Sequence, residues 1–197
     1  MPKKWLLLLA VFFLTSCVCP LYAEAEAPAE EEVCFSPGGR CTETITAQLA
    51  HAQHSVKVQA YSFTSKPIAE ALIAALQRGV EVEVIVDPGQ LSGKGNKVET
   101  LARAGVPVWI DSKHAIAHDK VMIIDGVTVV TGSFNFTNAA EDKNAENVLI
   151  IRNKKVAAKY RANWYRHREH SRPYHSTPAG SGKSAGKKKA ADKKVKA

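Results

Sequence analysis

The chain has 197 residues, 45% apolar and 23% charged, a composition that excludes a disordered or fibrous chain and fits one folded domain with terminal extensions. Its formal net charge of +8 is unevenly placed. From Ser181 onward seven lysines face the single Asp192, which accounts for six of the eight charges and leaves the body only mildly basic.

In chain order, Lys3 and Lys4 precede the apolar run WLLLLAVFFL at residues 5–14. That run falls short of the roughly 20 residues a bilayer span needs and reads as an export signal, with small residues at Ala23, Ala25 and Ala27 for cleavage. The segment LTSC also resembles a lipobox, which would make Cys17 a lipidated first residue and anchor the protein to a membrane. Either reading exports the domain, to the periplasm or beyond. The expected organisation is a signal over residues 1–23, an acidic linker over 24–32, a folded domain over 33–172 and a disordered Lys-rich tail over 173–197. Of the four cysteines, Cys34 and Cys41 flank FSPGGR, a turn-forming stretch. In an oxidising compartment they would form one disulfide; two reduced thiols are the alternative, and the absence of a C-x2-C pair speaks against zinc there.

VCFSP reads as a short strand and TETITAQLAHAQ as a helix capped by Thr42. SVKVQAYSF is a strand, KPIAEALIAALQRG a helix with Pro67 near its start and Gly79 past its end, and VEVEVIVD a strand. DPGQLSGKGN carries glycines but no P-loop pattern, so it reads as a flexible connection, with Lys94 and Lys97 free to touch a substrate backbone. GNKVETLARAG is a helix and VPVWI a strand. This rhythm argues for an α/β fold built on a mixed, largely parallel central sheet with helices on both faces. The pattern then changes. Asp125-Gly126 joins two apolar runs as a hairpin, AENVLIIRN is a further strand, and KKVAAKYRANWYRHREH is a basic amphipathic helix that packs Trp164 on the sheet. No internal repeat is present.

The chemistry concentrates in IAHDKVMIIDGVTVVTGSFNFT. On a strand, residues two apart share a face, so His118 and Lys120 project together. A neutral imidazole is a nucleophile and an adjacent ammonium holds an anion, a pairing suited to an oxyanion of phosphorus. Gly132 permits a tight turn, after which Ser133 and Asn135 offer short polar groups; an amide donor at Asn135 could stabilise a pentacovalent phosphorane. His114 and His118 with Asp119 invite a zinc reading, but extended backbone spreads them apart, so no metal is expected. His51, His54, His167, His170 and His175 read as solvated side chains.

HDKVMIID resembles the H-x-K-x4-D motif of the phospholipase D superfamily, and GSFNFT its G-S-x-N continuation. FSPGG, AYSFTSKPIAEAL and NAENVLII extend the likeness over residues 33–164, toward the small exported bacterial endonucleases with one such motif per chain. The resemblance implies a phospholipase D-like fold and metal-independent, cofactor-free chemistry. It implies His118 as the nucleophile that becomes a phosphohistidine, Lys120 and Asn135 as phosphate-oxygen ligands, Ser133 as a shaper of the substrate loop, and Glu146 as the acid that bonds the histidine and fixes its tautomer. Asp125 belongs to the motif, yet its parity and its place before Gly126 leave a structural role open beside a direct one. Because the chain carries one motif where larger relatives carry two, a homodimer would bring two copies of His118 to one site. Three functions follow: a non-specific endonuclease on DNA and also RNA, a phospholipase on phospholipid or cardiolipin headgroups, and a catalytically silent nucleic-acid-binding protein. The basic tail favours nucleic acid as partner, either as a polyanion tether or merely as a solubilising segment.

Overall fold

The computed structural model describes residues 30–176. The export signal, Cys17, most of the acidic linker and all but the start of the Lys-rich tail lie outside the described residues.

Eight strands form one sheet: β1 (Glu30–Ser36), β2 (Ser55–Ala60), β3 (Glu81–Val86), β4 (Val108–Ile110), β5 (Lys120–Ile124), β6 (Thr128–Gly132), β7 (Glu146–Arg152) and β8 (Arg172–Pro173). Their order is β1-β7-β6-β5-β2-β3-β4-β8. The sheet is mixed, as expected, but less parallel than the sequence suggested: only β2–β3 and β3–β4 run parallel. Helical crossovers produce those two pairings. From Lys120 onward a tight turn joins β5 to β6 and residues 133–145 join β6 to β7, and each returns the chain antiparallel.

Five helices flank the sheet: α1 (Cys41–Ala50), α2 (Lys66–Gln77), α3 (Val98–Arg103), α4 (Asn138–Asp142) and α5 (Lys154–His170). On one face Ile45, Leu49, Ile68, Leu72 and Leu101 meet Val56, Val58, Val84 and Met122. On the other, Ala157 and Trp164 of α5 meet Ile85, Val121, Ile123 and Val129. Trp164 is fully buried and its Nε1 donates to the Val58 carbonyl at 3.0 Å, so the aromatic-basic helix uses this ring for packing. Every residue of β5 is buried, because helices cover both faces; this is why KVMII reads as an unbroken apolar run behind its lysine.

Two local readings change and the expected disulfide is present. β1 begins at Glu30, inside the segment read as linker, and Arg152 answers Glu30 and Glu32 at 3.3 and 3.6 Å. Helix α1 starts at Cys41, with no side-chain cap at Arg40; the Thr42 amide instead donates to Glu141 Oε2 at 2.7 Å. Cys34 and Cys41 are bridged, with Cα atoms 5.6 Å apart.

Candidate active site

The site forms where the C-terminal end of β2 meets the N-terminal end of β5. Ala60 pairs with Lys120, and the Tyr61 amide donates to the Asp119 carbonyl at 3.0 Å, extending the ladder past the strand. His118 therefore sits just before β5 and is exposed, whereas Lys120 is buried. The Lys120 ammonium donates to the His118 carbonyl at 2.7 Å and lies 3.3 Å from His118 Nδ1. Tyr61 completes the group: its ring lies 4.4 Å from the imidazole, and Lys120 Nζ lies 5.2 Å from its centroid. Sequence reasoning assigned Tyr61 no role, although its place one residue beyond the strand that pairs with Lys120 was the available signal.

Lys120 makes no ion pair among the described residues. Burial pulls its ammonium below the usual lysine value, and the charges of Asp119 and Glu146 oppose that effect without bonding to it. The contrast with Lys57 is instructive. That lysine is equally buried, but Glu81 and Glu83 accept from it at 2.5 and 2.6 Å, so its charge is spent within the fold. Lys120 keeps a charge that an incoming anion can neutralise.

The GSFNFT loop is set against this group by backbone. Gly132 has φ 143°, and a Cβ there would lie 2.2 Å from the Asn147 carbonyl oxygen, so only glycine allows β6 and β7 to approach before the chain turns. Ser133 Oγ accepts from the backbone amide and the side-chain amide of Asn147 at 3.1 and 3.3 Å, pinning the loop to β7 while its own proton stays free to donate. A bridge between Phe63 and Phe136, with the Phe136 amide donating to the Ser62 carbonyl at 3.1 Å, aligns the loop with residues 61–65. Asn135 stands between the buried Phe134 and Phe136, and its amide has no hydrogen-bond partner, Oδ1 being buried. The Asn135 Nδ2, the donor half of that amide, and the Lys120 ammonium, which lacks a counter-ion, are the groups here that can donate to an oxyanion.

Glu146 departs from the expectation. It is partly exposed and accepts from Asn144 Nδ2 at 3.0 Å; it makes no hydrogen bond to His118, whose Nδ1 faces Lys120 instead. Its carboxylate reaches the site through its effect on Lys120.

Asp125 lies at the other end of β5, roughly 20 Å along the chain direction from His118. It takes φ 54° and Gly126 φ 65°, the two positive values of a type I′ hairpin. Its carboxylate accepts from the Gln53, His54 and Ser55 amides at 2.9, 2.7 and 2.9 Å. Burial would raise its pKa, but these donors hold it below the usual carboxylate value. Of the two roles left open, the geometry supports the structural one.

DPGQLSGKGN is not a slack connection. It contains a 3-10 turn, Pro88–Leu91, capped by Asp87. Buried Asp87 Oδ2 accepts from the Ala117 amide at 2.8 Å, directly before His118, and Gln90 Oε1 accepts from the Phe63 amide at 2.8 Å. Both are positioning residues for loops of the site. His51, His54 and His175 are exposed as expected. His167 and His170 are not simply solvated: both turn toward the buried Asp111.

Residues 45–168 match the family described as "Cardiolipin synthase, PLD-like domain". A curated relative from Rickettsia felis, named phospholipase D, is 46% identical over 131 residues, covering 66% of each chain. The mitochondrial cardiolipin hydrolase of Xenopus laevis is 34% identical over 122 residues, covering 62% of this chain and 58% of that one. Among solved structures, a phospholipase D family member named Nuc from Salmonella typhimurium superposes with a TM-score of 0.72 at 39% identity, over 75% of this chain and 99% of the other. The chain spans about two thirds of the length of the Rickettsia relative. With His118, Lys120 and Asn135 gathered at one end of β5 and the family matched over most of the folded body, this chain belongs to the phospholipase D superfamily and is a phosphodiesterase of its single-motif kind.

Proposed function

We propose that the chain is an exported, metal-independent endonuclease that hydrolyses DNA, and RNA as well, through a phosphohistidine at a site shared by two copies. The charge distribution carries the choice of nucleic acid: the polar site is followed by a tail with seven lysines and one acid, suited to a polyphosphate backbone. Metal independence rests on the ammonium beside the nucleophile, which supplies the positive charge a cation would otherwise bring and repels one.

Substrate phosphate takes over the Lys120 ammonium, and the neutral tautomer of His118 that carries its proton on Nδ1 presents the Nε2 lone pair to phosphorus. The P–N bond forms as the bond to the leaving oxygen breaks, and that oxygen takes a proton from His118 of the second copy. The same second histidine then removes a proton from water, whose oxygen attacks phosphorus and expels the first histidine. One motif per chain provides one histidine, and a two-fold axis provides the other. Lys120, Asn135 and the Ser133 hydroxyl hold the phosphoryl oxygens.

A second reading, headgroup hydrolysis of phospholipid or cardiolipin, is favoured by the names of the relatives and by Ile116, an exposed apolar side chain two residues before His118. Supercoiled plasmid and cardiolipin vesicles offered in parallel decide between them. Nicking with intact lipid is expected; lipid cleavage with intact plasmid would overturn the nuclease reading.

A further inference from the structure

Behind the loop that carries His118, three imidazoles converge on one carboxylate. Asp111 follows β4 and is fully buried; His114 lies in the loop leading to His118; His167 and His170 sit three apart on the last turn of α5 and so share a face. Asp111 Oδ2 lies 2.6 Å from His167 Nδ1 and 3.3 Å from His114 Nδ1, and its Oδ1 lies 3.1 Å from His170 Nε2. The three ring centroids are 4.9, 5.3 and 5.5 Å from one another.

This is more than a buried carboxylate requires. One protonated histidine would neutralise it, and two charged imidazoles in contact would repel. Three imidazole nitrogens and one carboxylate oxygen are, however, a donor set that suits zinc. We propose that Asp111, His114, His167 and His170 form a closed structural site for one zinc-class divalent cation, which fastens the loop carrying His118 to the end of α5.

The geometry is near what such an ion needs. Tetrahedral bonds of about 2.0–2.1 Å place ligand atoms about 3.3 Å apart. The carboxylate–imidazole separations, 2.6, 3.1 and 3.3 Å, lie at or below that value, and all four ligand atoms lie within 4.8 Å of one another. His114, whose side chain is 44% exposed, has room to rotate toward an ion. The Lys113 amide, donating to Oδ1 at 3.1 Å, orients the carboxylate from behind. Four protein ligands leave no open position, so this ion has no substrate role, and His118 is not among its ligands.

The test uses the full chain, stripped with a chelator and titrated with Co²⁺ and then Zn²⁺. One Co²⁺ per chain with the intense visible absorption of a tetrahedral site, displaced by Zn²⁺ with a rise in Tm, is expected. His114→Ala, at the exposed ligand, should fold and weaken binding at least 100-fold, roughly the upper end of what outer-shell changes alone produce. His118→Ala should bind as the parent does. A six-coordinate spectrum, equal affinity in His114→Ala, or loss of binding in His118→Ala would overturn the site. Should Asp111→Asn fail to fold, His114→Ala still decides.

Discussion

The two ends of β5 carry residues of the same motif and use them in opposite ways. At the Asp125 end the carboxylate is spoken for: three backbone amides donate to it, and a tight turn locks it in place. At the Lys120 end the fold leaves capacity unspent, with a buried ammonium that has no counter-ion, an amide without a partner and an exposed imidazole. A cavity of about 350 Å³ opens beside Asp125, lined by Gln48, His51 and Arg152 among others, so the presence of a hollow does not mark the chemistry here. Uncommitted hydrogen-bonding capacity does. A structural polar group is one the chain has satisfied, and a chemical one is held ready at some cost in stability.

Substitutions can break this contrast or sharpen it. The largest effect belongs to His118→Ala, which should lower turnover by at least about 10⁴-fold. Its thermal unfolding should be unchanged, since the side chain is exposed; assay and melting curve together check it. Asp125→Asn should do the reverse. It should cost about 2–3 kcal/mol of stability by replacing a charged acceptor of three amides, while the folded fraction keeps near-parental turnover. The pH dependence gives a second check. Because the folded-state pKa of Asp125 lies below its unfolded value of about 3.9, its stabilisation is present above that pH and disappears as pH falls through the folded value. Denaturant midpoints of parent and variant should therefore converge below about pH 4. A folded but inactive Asp125→Asn would erase the contrast. The smallest effect is removal of residues after Ser176, which should weaken DNA binding most at low salt and flatten its salt dependence by up to about 0.9 per lysine lost from contact with duplex.

Much of the chemical end was legible in the sequence because its signals are local. H-x-K places two side chains on one face, and G-S-x-N follows a hairpin announced by Asp125-Gly126. The strands and long helices were legible through their apolar periods. What escaped was set by tertiary contact. The parallel content was overestimated because a short strand does not reveal which neighbour it will pair with; β2 pairs with both β3 and β5, in opposite senses. Tyr61, Asp87 and Gln90 act across loops far apart in sequence, and no spacing rule links them to His118. The contacts of His167 and His170, read as solvated side chains, escaped for the same reason. His114 was weighed against His118 four residues on, whereas its companions, the H-x2-H of α5, come from the far end of the chain and meet it only over Asp111.

The most direct test of His118 as a covalent nucleophile is the stereochemistry at phosphorus. A phosphodiester that the enzyme cleaves, made chiral by sulfur and isotopic oxygen, would be hydrolysed and the configuration of the product determined. Two successive displacements, through the imidazole of His118 and then by water, predict retention. Inversion would mean that water attacks directly, and would contradict the role assigned to the Lys120 end of β5.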